Sequence, residues 1–135
     1  MLHLNNGHDQ LYLYEYSFYD NNTQPVPLTD VRGAGHTAQT AAVLDQVEDN
    51  LTNEYKKMKE IMRDLWGNFI KNGAPVPPGS SLPAWPPLKP GVTPYMSLGR
   101  KVELREGPIY EKRMKFWNCL HKKYYRPPSR PRSFQ

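Results

Sequence analysis

A stripe of apolar side chains between residues 51 and 69 constrains the fold of this chain more than any other feature. Its members recur at steps of three and four residues, which places them on one face of an α-helix. They are Leu51, Tyr55, Met58, Met62, Leu65 and Phe69. Charged residues such as Lys59 are expected on the other faces, and Asn72-Gly73 is a typical helix end. The sequence therefore predicts a long amphipathic helix that needs an apolar surface to cover it.

Two shorter elements precede this helix. Residues 11–18 read LYLYEYSF, an aromatic run that favours a strand inside a covered sheet. Residues 37–44 are small and mildly helical. A loop between them contains Gly33 and Gly35, and the two glycines predict a sharp backbone path just before His36.

A proline-rich loop, a hairpin and a last helix follow the long amphipathic helix. Residues 74–94 form the loop, in which Trp85 is expected to pack against another part of the fold. Residues 95–104 alternate with period two around Gly99-Arg100, which predicts a β-hairpin. The last helix is expected from about Ile109 to Tyr124. Its apolar side should carry Phe116, Trp117 and Leu120.

The composition explains why these elements need a larger body. The chain has 135 residues, of which 14 are proline, and its hydrophobic fraction is 38%. Globular domains usually reach about 45–50% on a count that includes glycine, so the core would be thin. An aromatic fraction of 12% argues against full disorder. One strand and a hairpin cannot cover two amphipathic helices, and we expect the chain to pack onto further structure.

Several classes of protein are excluded at this point. No run of the sequence approaches the ~18 apolar residues that a membrane span requires. The single cysteine, Cys119, cannot form an intrachain disulfide, and its neighbours Phe116 and Leu120 favour a buried core thiol. The histidines at positions 3, 8 and 121 show no pairing that suggests a metal, and we expect surface positions for them, with no metal and no cofactor.

The net charge of +5 raises the possibility of a nucleic-acid partner. Much of the excess lies between Arg100 and Arg132. This region has neither the spacing of zinc ligands nor the sequence signature of an RNA-binding sheet, so the charges do not belong to a recognisable nucleic-acid-binding module. A solvated helix face followed by a disordered, proline-rich basic tail over residues 125–135 is the favoured interpretation, without a nucleic-acid partner. The alternative, a basic nucleic-acid-binding domain, predicts steeply salt-dependent binding by residues 100–135.

His36 is the candidate for catalysis. A histidine on a loop beyond a buried strand is where an α/β-hydrolase places its general base. Such a base takes a proton from a serine and returns it to the leaving alcohol, which imidazole does well near neutral pH. A surface histidine in a tight turn is the alternative interpretation.

Six segments in order identify a family resemblance. They read LYLYEYSF, GAGH, LWGNFIKNGAPVP, AWPPL, YMSLGRKVELREGP and KFWNCL. In this order they resemble the C-terminal part of the type-B carboxylesterases, the group that holds the cholinesterases and the insect carboxylesterases. The resemblance runs from about Leu11 to Tyr124, and residues 1–124 are therefore interpreted as the C-terminal segment of such a domain.

The resemblance implies an α/β-hydrolase fold and ester hydrolysis by a Ser-His-Glu triad, with His36 as the triad base. It implies packing roles for Trp85 and for Phe116-Trp117. The sequence has no Gly-x-Ser-x-Gly and no oxyanion-hole glycine pair, so this chain by itself should hydrolyse nothing. Serine and glutamate would come from the upstream part of the same domain, and the substrate of the whole protein would be a small carboxylic ester.

The residues after His36 depart from the family pattern. Family members usually carry an acidic pair and an aromatic run there, whereas residues 37–44 read TAQTAAVL. A catalytically inactive, cholinesterase-like adhesion or interaction protein is therefore the main alternative to an esterase.

Two N-glycosylation sequons begin at Asn21 and Asn50. They matter only in a secreted protein, which the family resemblance favours. The first residues of the chain show no signal-peptide pattern.

Overall fold

The structure, a computed structural model, describes residues 6–7, 9–47 and 49–125. Its elements in chain order are β1 (Leu13–Tyr16), α1 (Ala38–Val43), α2 (Asn53–Asn72), β2 (Tyr95–Leu98), β3 (Val102–Arg105) and α3 (Glu111–Tyr124). Each element expected from the sequence is present, although β1 has four residues where eight were expected and the helices are one or two residues shorter at their ends. None of the described helices is long and apolar enough to cross a membrane. Except for Tyr125, the basic tail predicted at residues 125–135 lies outside the described residues, as do His3 and His8.

The three strands form one mixed sheet in the order β1-β2-β3. β1 and β2 are parallel, with Leu13 opposite Tyr95. β2 and β3 form the expected antiparallel hairpin, and Leu98 pairs with Val102 across a loop of residues 99–101. A Cβ on Gly99 would lie only 3.1 Å from the Ser17 Oγ. The hairpin loop therefore approaches Ser17, the residue after β1, at a position where glycine has no side chain.

Burial across the sheet follows strand position rather than the sequence pattern. All four residues of the central strand β2 are buried, although the sequence alternates there. The four residues of β1 are only half-buried, so the covered strand expected from LYLYEYSF is wrong for the described residues. β1 lies at an edge of the sheet, which leaves one of its sides without a neighbouring strand in this part of the chain.

Helix α2 confirms the predicted end at Gly73 and most of the apolar stripe, although Leu51 lies before the first residue of the helix. Met58, Met62 and Leu65 are buried against the sheet side of the molecule. The Thr52 side chain caps the start of the helix by accepting a hydrogen bond from the Tyr55 backbone N–H at 3.1 Å. Gly73 ends the helix at φ 72°, the left-handed conformation that glycine adopts without strain.

Lys59 is buried, which corrects the expectation that it lies on an outer face of the helix. Its ammonium group donates to the Gln46 carbonyl oxygen at 2.5 Å and lies 3.3 Å from an Asp45 carboxylate oxygen. The aliphatic part of the Lys59 side chain can therefore pack in the core, while its ammonium group pairs with Asp45 and Gln46 in the segment that follows α1.

Trp85 confirms the packing expected of the proline-rich loop. Its side chain is only 9% exposed and belongs to the core together with Phe18, Ala42, Met96 and residues of α2. The loop is also attached to the segment just before β1, since the Leu88 backbone N–H donates to the Leu11 carbonyl oxygen at 2.7 Å.

Helix α3 differs most from its expectation. None of its residues is buried, and the Phe116 and Trp117 side chains are 58% and 62% exposed. Cys119 is exposed as well, so the expected core thiol is wrong. The reason is that no described element covers the apolar side of this helix. His121 is exposed, as expected.

Candidate active site

The loop that leads to His36 leaves the sheet at the end of β1. The Ser17 backbone N–H still bonds the Leu98 carbonyl oxygen at 3.0 Å, after which the chain turns away. A small loop is then closed by a hydrogen bond of 2.8 Å from the Val26 N–H to the Val31 carbonyl oxygen. These bonds fix the direction in which the chain approaches residues 33–36.

His36 occupies a tight turn directly before α1. The Ala38 N–H bonds the Gly35 carbonyl oxygen at 3.3 Å, and Thr37 holds the left-handed conformation at φ 66°. The sharp path therefore lies after the histidine, at a threonine. Neither Gly33 nor Gly35 has a positive φ, which corrects the role expected of the two glycines. A non-glycine residue in this conformation costs on the order of 1–2 kcal/mol, so the turn around His36 is strained.

The histidine is exposed at the rim of a shallow concavity. The concavity is lined by Tyr14, Tyr16, Ala34, Gly35, His36, Thr37, Ala38 and Gln39. The Tyr14 hydroxyl donates to the Gln39 Oε1 at 2.8 Å and so ties β1 to α1 on either side of the turn. Burial raises the pKa of the Tyr14 phenol above its ordinary value, against a smaller opposite effect of a hydrogen bond with Trp66.

Within the described residues, the concavity holds no second catalytic group. No serine lines it, and no described carboxylate pairs with the His36 ring. Glu15 points from the opposite face of β1, where its carboxylate accepts a hydrogen bond from the Tyr110 hydroxyl. The described residues also contain no cluster of three or more side chains that could hold a metal ion. The arrangement presents one accessible imidazole and nothing that would complete a triad with it.

A second polar site lies beside this loop, around Asp20. The Asp20 carboxylate accepts hydrogen bonds from the Thr52 hydroxyl at 2.5 Å, from the Thr23 hydroxyl and backbone N–H at 2.9 Å each, and from the Asn22 N–H at 3.1 Å. Asp20 is buried, and it joins the end of the strand segment to the cap of α2.

Thr23 and Thr52 are the third residues of the two sequons. Both hydroxyls therefore converge on one carboxylate, while Asn21 and Asn50 themselves are exposed. The two loops also touch directly, because the Asn22 Nδ2 donates to the Asn50 carbonyl oxygen at 2.9 Å. The structure thus brings the two candidate glycosylation sites into one region of the surface.

Burial alone would raise the pKa of the Asp20 carboxyl, but the hydrogen bonds from Thr52, Thr23 and Asn22 together outweigh it and lower the pKa below its ordinary value. Asp-Asn-Asn-Thr is a local turn signal, but nothing local indicates the bond to Thr52, which lies 32 residues away.

Solved structures resemble this arrangement of strands and helices. A PNB esterase matches 77% of the chain with a TM-score of 0.60 at 20% sequence identity, and a thermophilic PNB esterase matches the same share with a TM-score of 0.54 at 22% identity. The chain covers 20% and 21% of those two proteins, respectively. The fold is therefore part of an α/β-hydrolase fold, as expected from the sequence.

The sequence comparison identifies the family. The sequence model of the carboxylesterase family matches residues 1–117, and the chain belongs to this family. Rat (Rattus norvegicus) liver carboxylesterase B-1 is 32% identical over 77 residues, which are 56% of this chain and 13% of that protein. The chain thus spans a small fraction of the length of its relatives.

Proposed function

We propose that this chain supplies the triad histidine of a serine carboxylic-ester hydrolase, with His36 as the general base and then the general acid. The observation that carries the proposal is the position of His36, exposed in a tight turn that the loop after β1 delivers, in a chain of the carboxylesterase family. The nucleophilic serine, the glutamate and the oxyanion hole would belong to the remainder of a longer protein.

The geometry supports this role for His36 in two ways. The ring is exposed and no described side chain holds it, so a serine on one side and a carboxylate on the other can still approach. The Tyr14–Gln39 hydrogen bond and the turn from Gly35 to Ala38 fix the backbone that carries the ring. In ester hydrolysis the imidazole would take the serine proton during attack on the ester carbonyl. It would then return that proton to the leaving alcohol, while the carboxylate fixes the tautomer.

The test compares two exposed histidines in the longer protein that contains this segment. His36→Ala should lower kcat for p-nitrophenyl acetate by about 10³-fold or more, because the serine loses its base. It should also slow labelling of the serine by a fluorophosphonate probe. His121→Ala, on the exposed helix α3, is the matched control and should change kcat less than about twofold. Unchanged hydrolysis by His36→Ala would remove the triad assignment.

The segment after His36 supports a second candidate, a catalytically inactive adhesion or interaction protein of the cholinesterase type. The first turn of α1 contains no acidic residue, and the turn before it is strained at Thr37. The absence of an acidic residue departs from the acidic pair that the family resemblance leads us to expect after the base. The two candidates give opposite results with the fluorophosphonate probe, since only an activated serine reacts.

We also propose that Asn21 and Asn50 carry N-glycans in a secreted protein. Both side chains are exposed, and each stands in a complete sequon. After expression through a secretory pathway, N-glycosidase treatment should shift the mass of the protein by two glycans. Asn21→Gln and Asn50→Gln should each remove one of them, whereas Asn22→Gln, which retains the sequon at Asn21, should remove none. A single unshifted mass for all variants would contradict the assignment.

A further inference from the structure

The Asp20 carboxylate divides its two oxygens between the two sequons. Its Oδ1 accepts hydrogen bonds from the Thr23 hydroxyl at 2.9 Å and from the backbone N–H groups of Thr23 and Asn22. Its Oδ2 accepts the hydrogen bond from the Thr52 hydroxyl. Because an ionised carboxylate has no hydrogen to donate, each threonine hydroxyl gives its single hydrogen to Asp20.

Backbone groups bind the same two hydroxyls from the other side. The Thr23 Oγ1 accepts from the Asp20 N–H at 3.0 Å, and the Thr52 Oγ1 accepts from the Tyr55 N–H at the start of α2. Asn50 holds the left-handed conformation at φ 55°, and its carbonyl oxygen accepts a hydrogen bond from the other sequon. Both sequons are therefore fixed at their third residue, and the second is also fixed at its asparagine.

The chemistry of N-glycosylation gives these hydroxyls their importance. The asparagine amide nitrogen replaces a lipid pyrophosphate at C1 of the sugar: the N–C1 bond forms, the C1–O bond breaks, and the amide proton leaves with the lipid pyrophosphate. The acceptor pattern demands a hydroxyl two residues after the asparagine, so the transferase has to contact that hydroxyl. In the folded arrangement the hydroxyl hydrogens of Thr23 and Thr52 are both bound to Asp20.

We propose that Asp20 controls when the two sequons can accept a glycan. The inference rests on the glycans proposed above for Asn21 and Asn50. Both sequons are acceptors before Asp20 binds the two threonines, and both stop being acceptors when it does. The bond between Asp20 and Thr52 joins residues that are 32 positions apart, so it forms only when the end of the strand segment has met the start of α2. Glycosylation has to precede that step.

The alternative is that exposure of the asparagines alone decides whether they are modified. Asn21 and Asn50 are exposed, so a folded chain would then be as good an acceptor as an unfolded one. The threonines argue against this alternative. Thr23 and Thr52 are half-buried and bonded to a carboxylate that is itself buried, and a transferase would have to break those bonds first.

The first experiment compares the whole chain with two short peptides as acceptors. The peptides are residues 18–26 and 47–55, which contain the sequons without the bond between Asp20 and Thr52. Each acceptor is mixed with solubilised oligosaccharyltransferase from microsomes and a lipid-linked oligosaccharide, and mass spectrometry gives the initial rate at each asparagine. At both sites the chain should react at least about tenfold more slowly than the peptide, roughly the factor that one hydrogen bond to a charged group contributes.

Two results of this comparison would contradict the proposal in different ways. Equal rates for the chain and the peptides would overturn the role of Asp20 and leave the glycosylation sites standing. Peptides that are not modified at all would refute the glycosylation sites themselves, and the role of Asp20 with them.

The second experiment releases one sequon from Asp20. Asp20→Asn keeps the size of the side chain and can still present an oxygen to the donors of Thr23, but its NH2 group cannot accept the hydrogen of Thr52. Asn50 should therefore be modified about tenfold faster in this variant, and Asn21 less than about threefold faster. Unchanged rates at Asn50 would overturn the proposal.

Two controls separate Asp20 from the rest of the fold. Asp30→Asn makes the same chemical change at an exposed position of the same loop and should alter neither rate. The β2 amides should stay protected from hydrogen exchange in Asp20→Asn, which would show that the core is folded while Asn50 reacts. If Asn50 reacts faster only when this protection is also lost, as expected for Trp85→Ala, unfolding of the core controls access and the proposal is overturned.

Discussion

Replacement of Trp85 by phenylalanine and by alanine should have very different consequences, because the indole contributes apolar contact and also an unsatisfied polar atom. The ring meets Tyr12 and Tyr14 edge to face, at centroid distances of 5.7 and 6.3 Å. The Nε1 atom is buried and has no hydrogen-bond partner among the described residues.

The magnitudes can be worked from this environment. A tryptophan buries roughly 150–250 Å², and at about 25 cal/mol per Å² a side chain that is 9% exposed gains about 3.5–5.5 kcal/mol. Trp85→Ala should cost about 3–5 kcal/mol, in the range of large-to-small core substitutions. Trp85→Phe loses roughly 1 kcal/mol of apolar area. It also removes a buried N–H whose lack of a partner costs about 1–3 kcal/mol, so its net effect should be within about 1 kcal/mol of zero or stabilising.

Hydrogen exchange of the β2 backbone amides measures the free energy of the opening that exposes them to solvent. This measurement does not require a cooperative unfolding transition. Trp85→Ala should bring these amides to, or close to, the exchange rate of an unfolded chain, whereas Trp85→Phe should leave their protection almost unchanged. The control is Trp117, which is 62% exposed, and for which both substitutions should change protection by less than about 0.5 kcal/mol. If Trp85→Phe were as damaging as Trp85→Ala, the indole N–H would have to be a stabilising contact, and the reasoning above would be refuted.

Three further outcomes follow from the fold. The lowered pKa of Asp20 stabilises the folded state above the ordinary carboxyl pKa of about 4, and this contribution is lost as pH falls through the lower pKa of the folded state. Acid should therefore lower the protection factor of the Tyr55 amide, which is the intrinsic exchange rate at the same pH divided by the measured rate; Asp20→Asn should flatten that pH dependence, whereas Asp30→Asn should leave it intact. Gly73→Ala should destabilise the end of α2 by about 1–2 kcal/mol, because a side chain at φ 72° is strained, and the loss of helical circular dichroism on heating should begin earlier; an unchanged melting curve would show that the turn relaxes. The chain alone should melt over a broad range and bind a hydrophobic dye, since large apolar side chains such as Ile70 are exposed, and a sharp transition without dye binding would contradict this.

Periodicity and end signals predicted the helices well. The spacing of Met58, Met62 and Leu65 identified the buried side of α2, and Gly73 identified its end, because both are local properties of the chain. The hairpin was also predictable, since Leu98 and Val102 are close in sequence. The candidate site follows from the family resemblance, which implies that His36 is the triad base.

Properties that depend on distant parts of the chain were not predictable. The bond between Asp20 and Thr52 joins two segments that are separate in sequence, and the burial of Lys59 depends on where Asp45 and Gln46 lie after α1. The sequence favours the two nearby glycines for the sharp turn, whereas the structure places the left-handed conformation at Thr37. The apolar neighbours of Cys119 predict a core position, but burial also requires a partner surface, and α3 has none among the described elements.

The parallel pairing of β1 with β2 has a kinetic consequence. Leu13 finds Tyr95 only after roughly eighty residues of chain have been brought into a loop, whereas the hairpin of β2 and β3 closes across three residues. The larger loop costs about 3 kcal/mol more in closure entropy, so the hairpin and α2 can form early while β1 joins late. A substitution in β1 should therefore chiefly accelerate unfolding, whereas one in the hairpin should slow folding. Until β1 joins, the edge of β2 on that side is open, and this interval is when the chain is most exposed to pairing with another copy of itself.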